Sequence, residues 1–233
     1  MAKQMPVKAV AGIVREYDTR IWRILQYHVQ EARSREDFSK VRCVGMDETS
    51  RRKCHRYVSF ARDLEAHGGD PAQIREATLD MSPALIQGVR EHLPQAQLTV
   101  DKFHAVKLVN EALEEVRREE QKSHQELKRS RYLWLRNPQD LRRDDQDRLG
   151  ILLGQSHLKT GRAYRIKLAF QALYDEPLSA AEAYLKHWYF WATHSRMAPI
   201  IKAARTIRDH WEGILRWFHS GLTNALLEGT NSL

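Results

Sequence analysis

A chain of 233 residues, 42% hydrophobic and 29% charged, can hold one or two domains and bury a real core, which fits a soluble globular protein. The balance is basic, with 38 Lys and Arg against 30 Asp and Glu, net +8 and pI near 9.6, and it favours a polyanionic partner, nucleic acid first. The only cysteines, Cys43 and Cys54, form no CxxC pair, which argues against a disulfide framework or zinc ribbon and for a reducing compartment. Nothing resembles an apolar membrane span or the apolar centre of a secretory signal.

Residues 6–32 read as two short helices. Val7, Val10, Ile13 and Val14 recur at helical spacing. Tyr17-Asp18-Thr19 interrupts them, with Asp18 or Thr19 as N-cap. Ile21, Trp22, Leu25 and Val29 form the second apolar stripe. Two short helices, a tight turn and the basic residues Arg15, Arg20 and Arg23 suit a helix-turn-helix, although any helical hairpin reads similarly. A polar linker covers 34–40.

A mixed region follows. Val41 to Asp47 reads as a strand, and His55 to Phe60 (HRYVSF) alternates as a hairpin partner. Residues 61–67 are helical in pattern and stop at Gly68-Gly69. Ala77 to Asp80 is a short buried strand. Ser82-Pro83 opens a helix with Leu85, Ile86, Val89 and Leu93 on its inner face, and Leu98 to Asp101 is the next strand. Strand, helix, strand predicts a parallel pair. From Ala105 to His219 the pattern is helical almost throughout. Five to six helices are expected, with breaks at Asn137-Pro138, Gly154, Gly161, Pro177 and Pro199 and with the tryptophans as core.

Several apolar runs end on an acid: Asp47, Asp80 and Asp101. Glu228 stands near the other end, in LLEGTN. Acids at the carboxyl ends of neighbouring parallel strands meet in one crevice. Such a group can hold two divalent cations for phosphoryl transfer, and hard oxygen donors select Mg²⁺ or Mn²⁺. Aspartates also end strands as simple turn formers, so spacing alone does not decide.

VGMDETSRRK, LDMSPALIQGV, LPQAQLTVDKFHAVKLVNEALEEVRR, WYFWATHSR and LEGTNSL, in this order, resemble the DDE transposases of the ISL-three insertion-sequence group over essentially the whole chain. The resemblance implies an α/β fold, mostly α by residue count. It implies a ribonuclease-H-like mixed sheet, incomplete here, interrupted by a large all-helical insertion and preceded by a helix-turn-helix. The implied domains are 1–33, 41–104, 105–219 and 220–233. By the same resemblance Asp47, Asp80 and Glu228 match the catalytic, metal-holding acids. Asp101 and His104, in DKFH, match an accessory D-x-x-H element, with Asp101 as the rival second catalytic acid. Arg51, Arg52, Lys53, Lys102, Lys107, Arg117 and Arg118 join Arg15, Arg20 and Arg23 as candidate DNA contacts. Implied partners are Mg²⁺ or Mn²⁺, double-stranded DNA at transposon ends and target, and further copies of the chain. Neither a membrane nor a small-molecule substrate is implied, and the implied location is the bacterial cytoplasm, at the nucleoid.

Three departures from the family accompany the resemblance. Asp47 and Asp80 are closer in sequence than expected by about a strand pair, which suggests an internal deletion. The cysteine-rich zinc-binding segment is absent, and the chain stops five residues after Glu228. Cys54 also stands where glycine is expected. The expectation is therefore a truncated, internally deleted transposase of weak or no activity. The alternative is a non-catalytic DNA-binding remnant acting through residues 6–32.

Overall fold

The computed structural model describes residues 5–46 and 57–222. Asp47, Arg51, Arg52, Lys53, Cys54 and Glu228 lie outside them. Contacts divide the chain into two compact units. Among the described residues, the first holds those up to Ala77 and Ala84–Gln97, and the second holds Thr78–Pro83 and those from Leu98 on.

In the first unit, α1 (Val7–Val14) packs on α2 (Asp18–Arg33). Arg15 closes α1 in the left-handed conformation, φ 56°, and its N–H bonds back to the Ala11 carbonyl. Tyr17, not Asp18 or Thr19, is the N-cap of α2. Asp18 is already helical, and its carboxylate accepts from the Thr19 N–H at 2.7 Å. Val10 and Ala11 are buried in α1, whereas α2 buries no residue. Strand β1 (Cys43–Met46) and helix α3 (Tyr57–Ala66) follow.

Helix α3 corrects the expectation that 55–60 forms a strand: residues 57–60 are its first turn. The six-residue alternation was too short to fix a period, and the sequence continues helix-compatible through Ala66. Gly68 then turns the chain at φ +80°, a value its missing side chain permits. Asp70 caps the next short turn by accepting from the Ala72 N–H at 2.9 Å.

Strand β2 (Glu76–Leu79), helix α4 (Pro83–His92) and strand β3 (Gln97–Val100) form the predicted strand–helix–strand unit. Pro83 opens α4, where its missing N–H costs nothing. Leu85 and Val89 are buried on its inner face. The strands make one parallel sheet in the order β1-β2-β3. A mixed sheet with antiparallel strands beside β1 was expected. Among the described residues β1 is instead an edge strand.

The rest of the second unit is helical: α5 (Lys102–Glu120), α6 (Arg131–Leu135), α7 (Arg143–Leu153), α8 (Lys159–Ala172), α9 (Leu178–Thr193), α10 (Ala198–Asp209) and α11 (Trp211–Ser220). That is one helix more than expected, because the five-residue α6 stands apart. Gly161 does not break the chain; it lies in the first turn of α8. Pro177 caps α9 and Pro199 sits in the first turn of α10, where proline is tolerated. Helix α5 packs against α8 and α10 around one apolar core. Trp134 and Trp188 lie inside it, and their indole N–H groups donate to Ser130 Oγ and the Ile166 carbonyl, both at 2.9 Å. Trp191, 44% exposed, is not core.

Candidate active-site edge

Asp80 and Asp101 each follow the last residue of a strand, β2 and β3 respectively. The Asp101 N–H donates to the Leu79 carbonyl at 2.9 Å. In a parallel ladder that bond sets Asp101 opposite Asp80, at the carboxyl edge where α/β proteins place their polar crevice. Both side chains are buried: Asp80 is 7% exposed and Asp101 0%.

Each carboxylate already holds backbone. Asp80 Oδ1 accepts from the Ser82 N–H at 2.8 Å and fixes the turn into α4. Asp101 is the N-cap of α5, accepting from the Phe103 N–H at 3.0 Å, and its other oxygen lies 3.7 Å from His104 Nδ1. The D-x-x-H spacing thus puts the histidine one turn along α5, over the cap. The capping bonds use one oxygen of each acid, and the donor chemistry suits a hard divalent cation.

An aromatic wall stands beside Asp101. Burial, with the Asp101 charge as a second cause, pushes the Tyr174 hydroxyl well above its ordinary pKa and keeps it neutral. Lys102 sits over the Trp217 and Tyr174 rings, 5.1 and 5.9 Å from their centroids. Helix α11 runs against β3. A Cβ on Gly213 would lie 2.8 Å from Val100 Cγ2, so this crossing requires glycine. Thr99 and Ser220 pair their hydroxyls at 3.2 Å. Glu228 comes eight positions after Ser220 in sequence.

The candidate DNA contacts separate into two kinds. Arg20 and Arg23 lie exposed on α2, with Arg20 paired to Glu16 at 3.0 Å, and Arg15 is exposed at the turn. Lys107 and Arg118 are exposed on α5. Arg117 is different. It is 6% exposed, forks onto Glu114 at 2.7 and 2.8 Å, and donates to the Leu127 carbonyl at 3.1 Å. These bonds hold the end of α5 to the following turn and leave the guanidinium unavailable to phosphate.

Sequence reasoning missed a polar cluster: His124, Glu126 and His157, whose ligand-type atoms all lie within 4.8 Å of one another. The His-x-Glu spacing was its one local signal.

The described fold defines an α/β protein whose neighbouring parallel strands β2 and β3 are each followed by an aspartate at one edge of the sheet. The family model of the ISL3 transposases, described as "Transposase", matches residues 46–233. The chain belongs to this transposase family. It is 28% identical over 227 residues to the transposase for insertion sequence element IS1001 of Bordetella parapertussis, covering 84% of this chain and 56% of that protein. It is 24% identical over 245 residues to the transposase for IS1557 of Mycobacterium tuberculosis (strain ATCC 25618 / H37Rv), covering 84% and 55%. The chain thus spans about half the length of these curated relatives. No solved structure matches it.

Proposed function

We propose that this chain carries the catalytic edge of a DDE transposase, which cuts DNA at transposon ends and joins it to a target. The observation that carries the reading is the register of Asp101 opposite Asp80, within a stretch that matches the transposases. Asp47, Asp80 and Glu228 are the proposed metal-holding set. Asp47 directly follows Met46, the last residue of β1, and β1 neighbours β2. Bound Mg²⁺ or Mn²⁺ supplies charge neutralisation at phosphorus and a more acidic attacking hydroxyl. Asp80 offers its uncommitted oxygen. Asp101 holds the start of α5 in place, and the proposed accessory role of His104, 3.7 Å from Asp101, is to orient a phosphate oxygen. The rigid caps keep this geometry independent of DNA.

The proposed domains are a helix-turn-helix at 1–33, a ribonuclease-H-like part at 41–104, a helical insertion at 105–219 and the start of the glutamate-bearing helix at 220–233. The net charge of +8 supports double-stranded DNA as partner, with Arg15, Arg20, Arg23, Arg51, Arg52, Lys53, Lys102 and Lys107 against phosphates. Assembly of several copies on DNA, in the bacterial cytoplasm at the nucleoid, belongs to the same reading. Among the described residues no helix is long and apolar enough to cross a membrane.

Activity is proposed to be impaired, because Tyr57–Phe60, expected in the strand that pairs with β1, is the first turn of α3. The same observation favours a second reading, a DNA-binding remnant acting through α1 and α2. A strand-transfer assay with end DNA and Mg²⁺ or Mn²⁺ separates the two. Turnover abolished by Asp47→Ala supports the enzyme. Metal-independent binding without turnover, steeply weakened by salt and lost on deleting 1–33, supports the remnant.

A further inference from the structure

The helical region contains a second group of metal-ligating side chains, and it differs in kind from the acids of the sheet edge. His124 and Glu126 lie in the turn after α5, and His157 lies in the connection between α7 and α8. His124 Nδ1 is 3.2 Å from Glu126 Oε1, and His157 Nε2 is 3.9 Å from the same oxygen. The two imidazole rings are 5.2 Å apart, centroid to centroid. One carboxylate oxygen thus faces two imidazoles that come from segments 33 positions apart in sequence.

The segments carrying these groups are held rigidly. The Glu120 carboxylate, at the end of α5, accepts from the Lys159 N–H, the Thr160 N–H and the Thr160 hydroxyl, each at 2.7 Å. It therefore caps α8 from a different element and fixes the two segments to each other. Leu127 and Leu158, next to Glu126 and His157, are buried at 0% and 1% exposure and anchor both turns in the core. The side chains themselves have room to adjust, since that of His157 is 57% and that of Glu126 35% exposed.

We propose that His124, Glu126 and His157 bind a zinc-class divalent cation that clamps the end of α5 to the start of α8. Two imidazole nitrogens and one carboxylate oxygen form a donor set that suits Zn²⁺, whereas Mg²⁺ demands oxygen ligands. An ion among three atoms this close lies within about 2.8 Å of each, against about 2.0–2.2 Å in a formed zinc site. Small side-chain rotations close that gap. Both histidines also line a cleft of about 470 Å³ with Lys159 and Arg196, where water would have room to complete the coordination.

The test is calorimetric titration of the full chain with ZnCl₂, in parallel with His157→Ala and Glu126→Gln, followed by thermal melts. The expected result is one tight Zn²⁺ equivalent in the unmodified chain, weakened about 100-fold or more in each variant. Zn²⁺ should raise the melting temperature of the unmodified chain and leave His157→Ala unmoved. Absence of binding, equal affinity in His157→Ala, or displacement of Zn²⁺ by equimolar Mg²⁺ would each overturn the proposal. His157 is a surface side chain, so its removal leaves the fold intact.

Discussion

Helices α2 and α8 are of similar length and opposite construction. The sixteen residues of α2 bury none of their side chains, and Trp22, Ile24, Tyr27 and Val29 are all about half exposed or more. The fourteen residues of α8 bury seven, including Tyr164, Ile166, Lys167 and Phe170. Both sequences interleave apolar and charged residues. Burial, not pattern strength, separates a helix that belongs to a core from one that offers its face outward. Under the proposed function, α2 is a surface that meets DNA, whereas α8 belongs to the core of the helical region.

Truncation breaks this contrast most directly. Phe170→Ala is expected to cost about 3–5 kcal/mol, because its ring is fully buried and packs on Trp188 at 4.7 Å. Trp22→Ala, the larger deletion in volume, should cost no more than about 0.5 kcal/mol. Urea unfolding measures both, and equal losses would remove the distinction.

Lys167 gives a smaller effect with a pH signature. It is fully buried and donates to the carbonyls of Leu135 and Arg136 at 3.3 and 3.4 Å. Burial lowers its pKa to about 8, opposed by the charge of Asp140. Its folded pKa lies below its unfolded one, so the unfolded chain binds more protons between about pH 8 and 10.5. Stability contributed by this group is therefore lowest below pH 8 and recovers as pH rises through that window, by at most about 3 kcal/mol. Melting curves of the unmodified chain and Lys167→Met across pH 7–10 should show a rising difference in slope that the variant lacks.

Gly213→Ala comes next. Its Cβ would press on Val100, and the expected cost is about 1–3 kcal/mol with α11 displaced from β3. Gly150→Ala, where a Cβ meets nothing within 4 Å, is the control and should be neutral or slightly stabilising.

Much of this was legible in the sequence, for reasons that differ by element. The β2–α4–β3 unit was readable because Ser82-Pro83 punctuates two apolar runs that each end on aspartate. The β1 strand was found with its boundary two residues long at the start. The 55–60 stretch failed because an alternation so short fits either period once a helical sequence follows it. Asp101 was placed correctly at a strand end, and the structure adds its capping of α5, a structural role that the strand-end pattern alone did not signal. Arg117 read as a candidate DNA contact; its Glu114 partner three positions earlier was the missed signal. His124 and His157 could not be joined from sequence, since packing of α5 on α8 alone brings them together.

The central claim is the proposal that the sheet edge at Asp80, together with Asp47 and Glu228, holds a hard divalent cation. Mn²⁺ binding, followed by electron paramagnetic resonance in a His157→Ala background to silence the second cluster, tests it most directly. Asn at position 80 keeps the oxygen that accepts the Ser82 N–H, so Asp80→Asn should fold normally. The account predicts that this substitution weakens Mn²⁺ binding at least about tenfold. Unchanged Mn²⁺ affinity in a folded Asp80→Asn chain would contradict it.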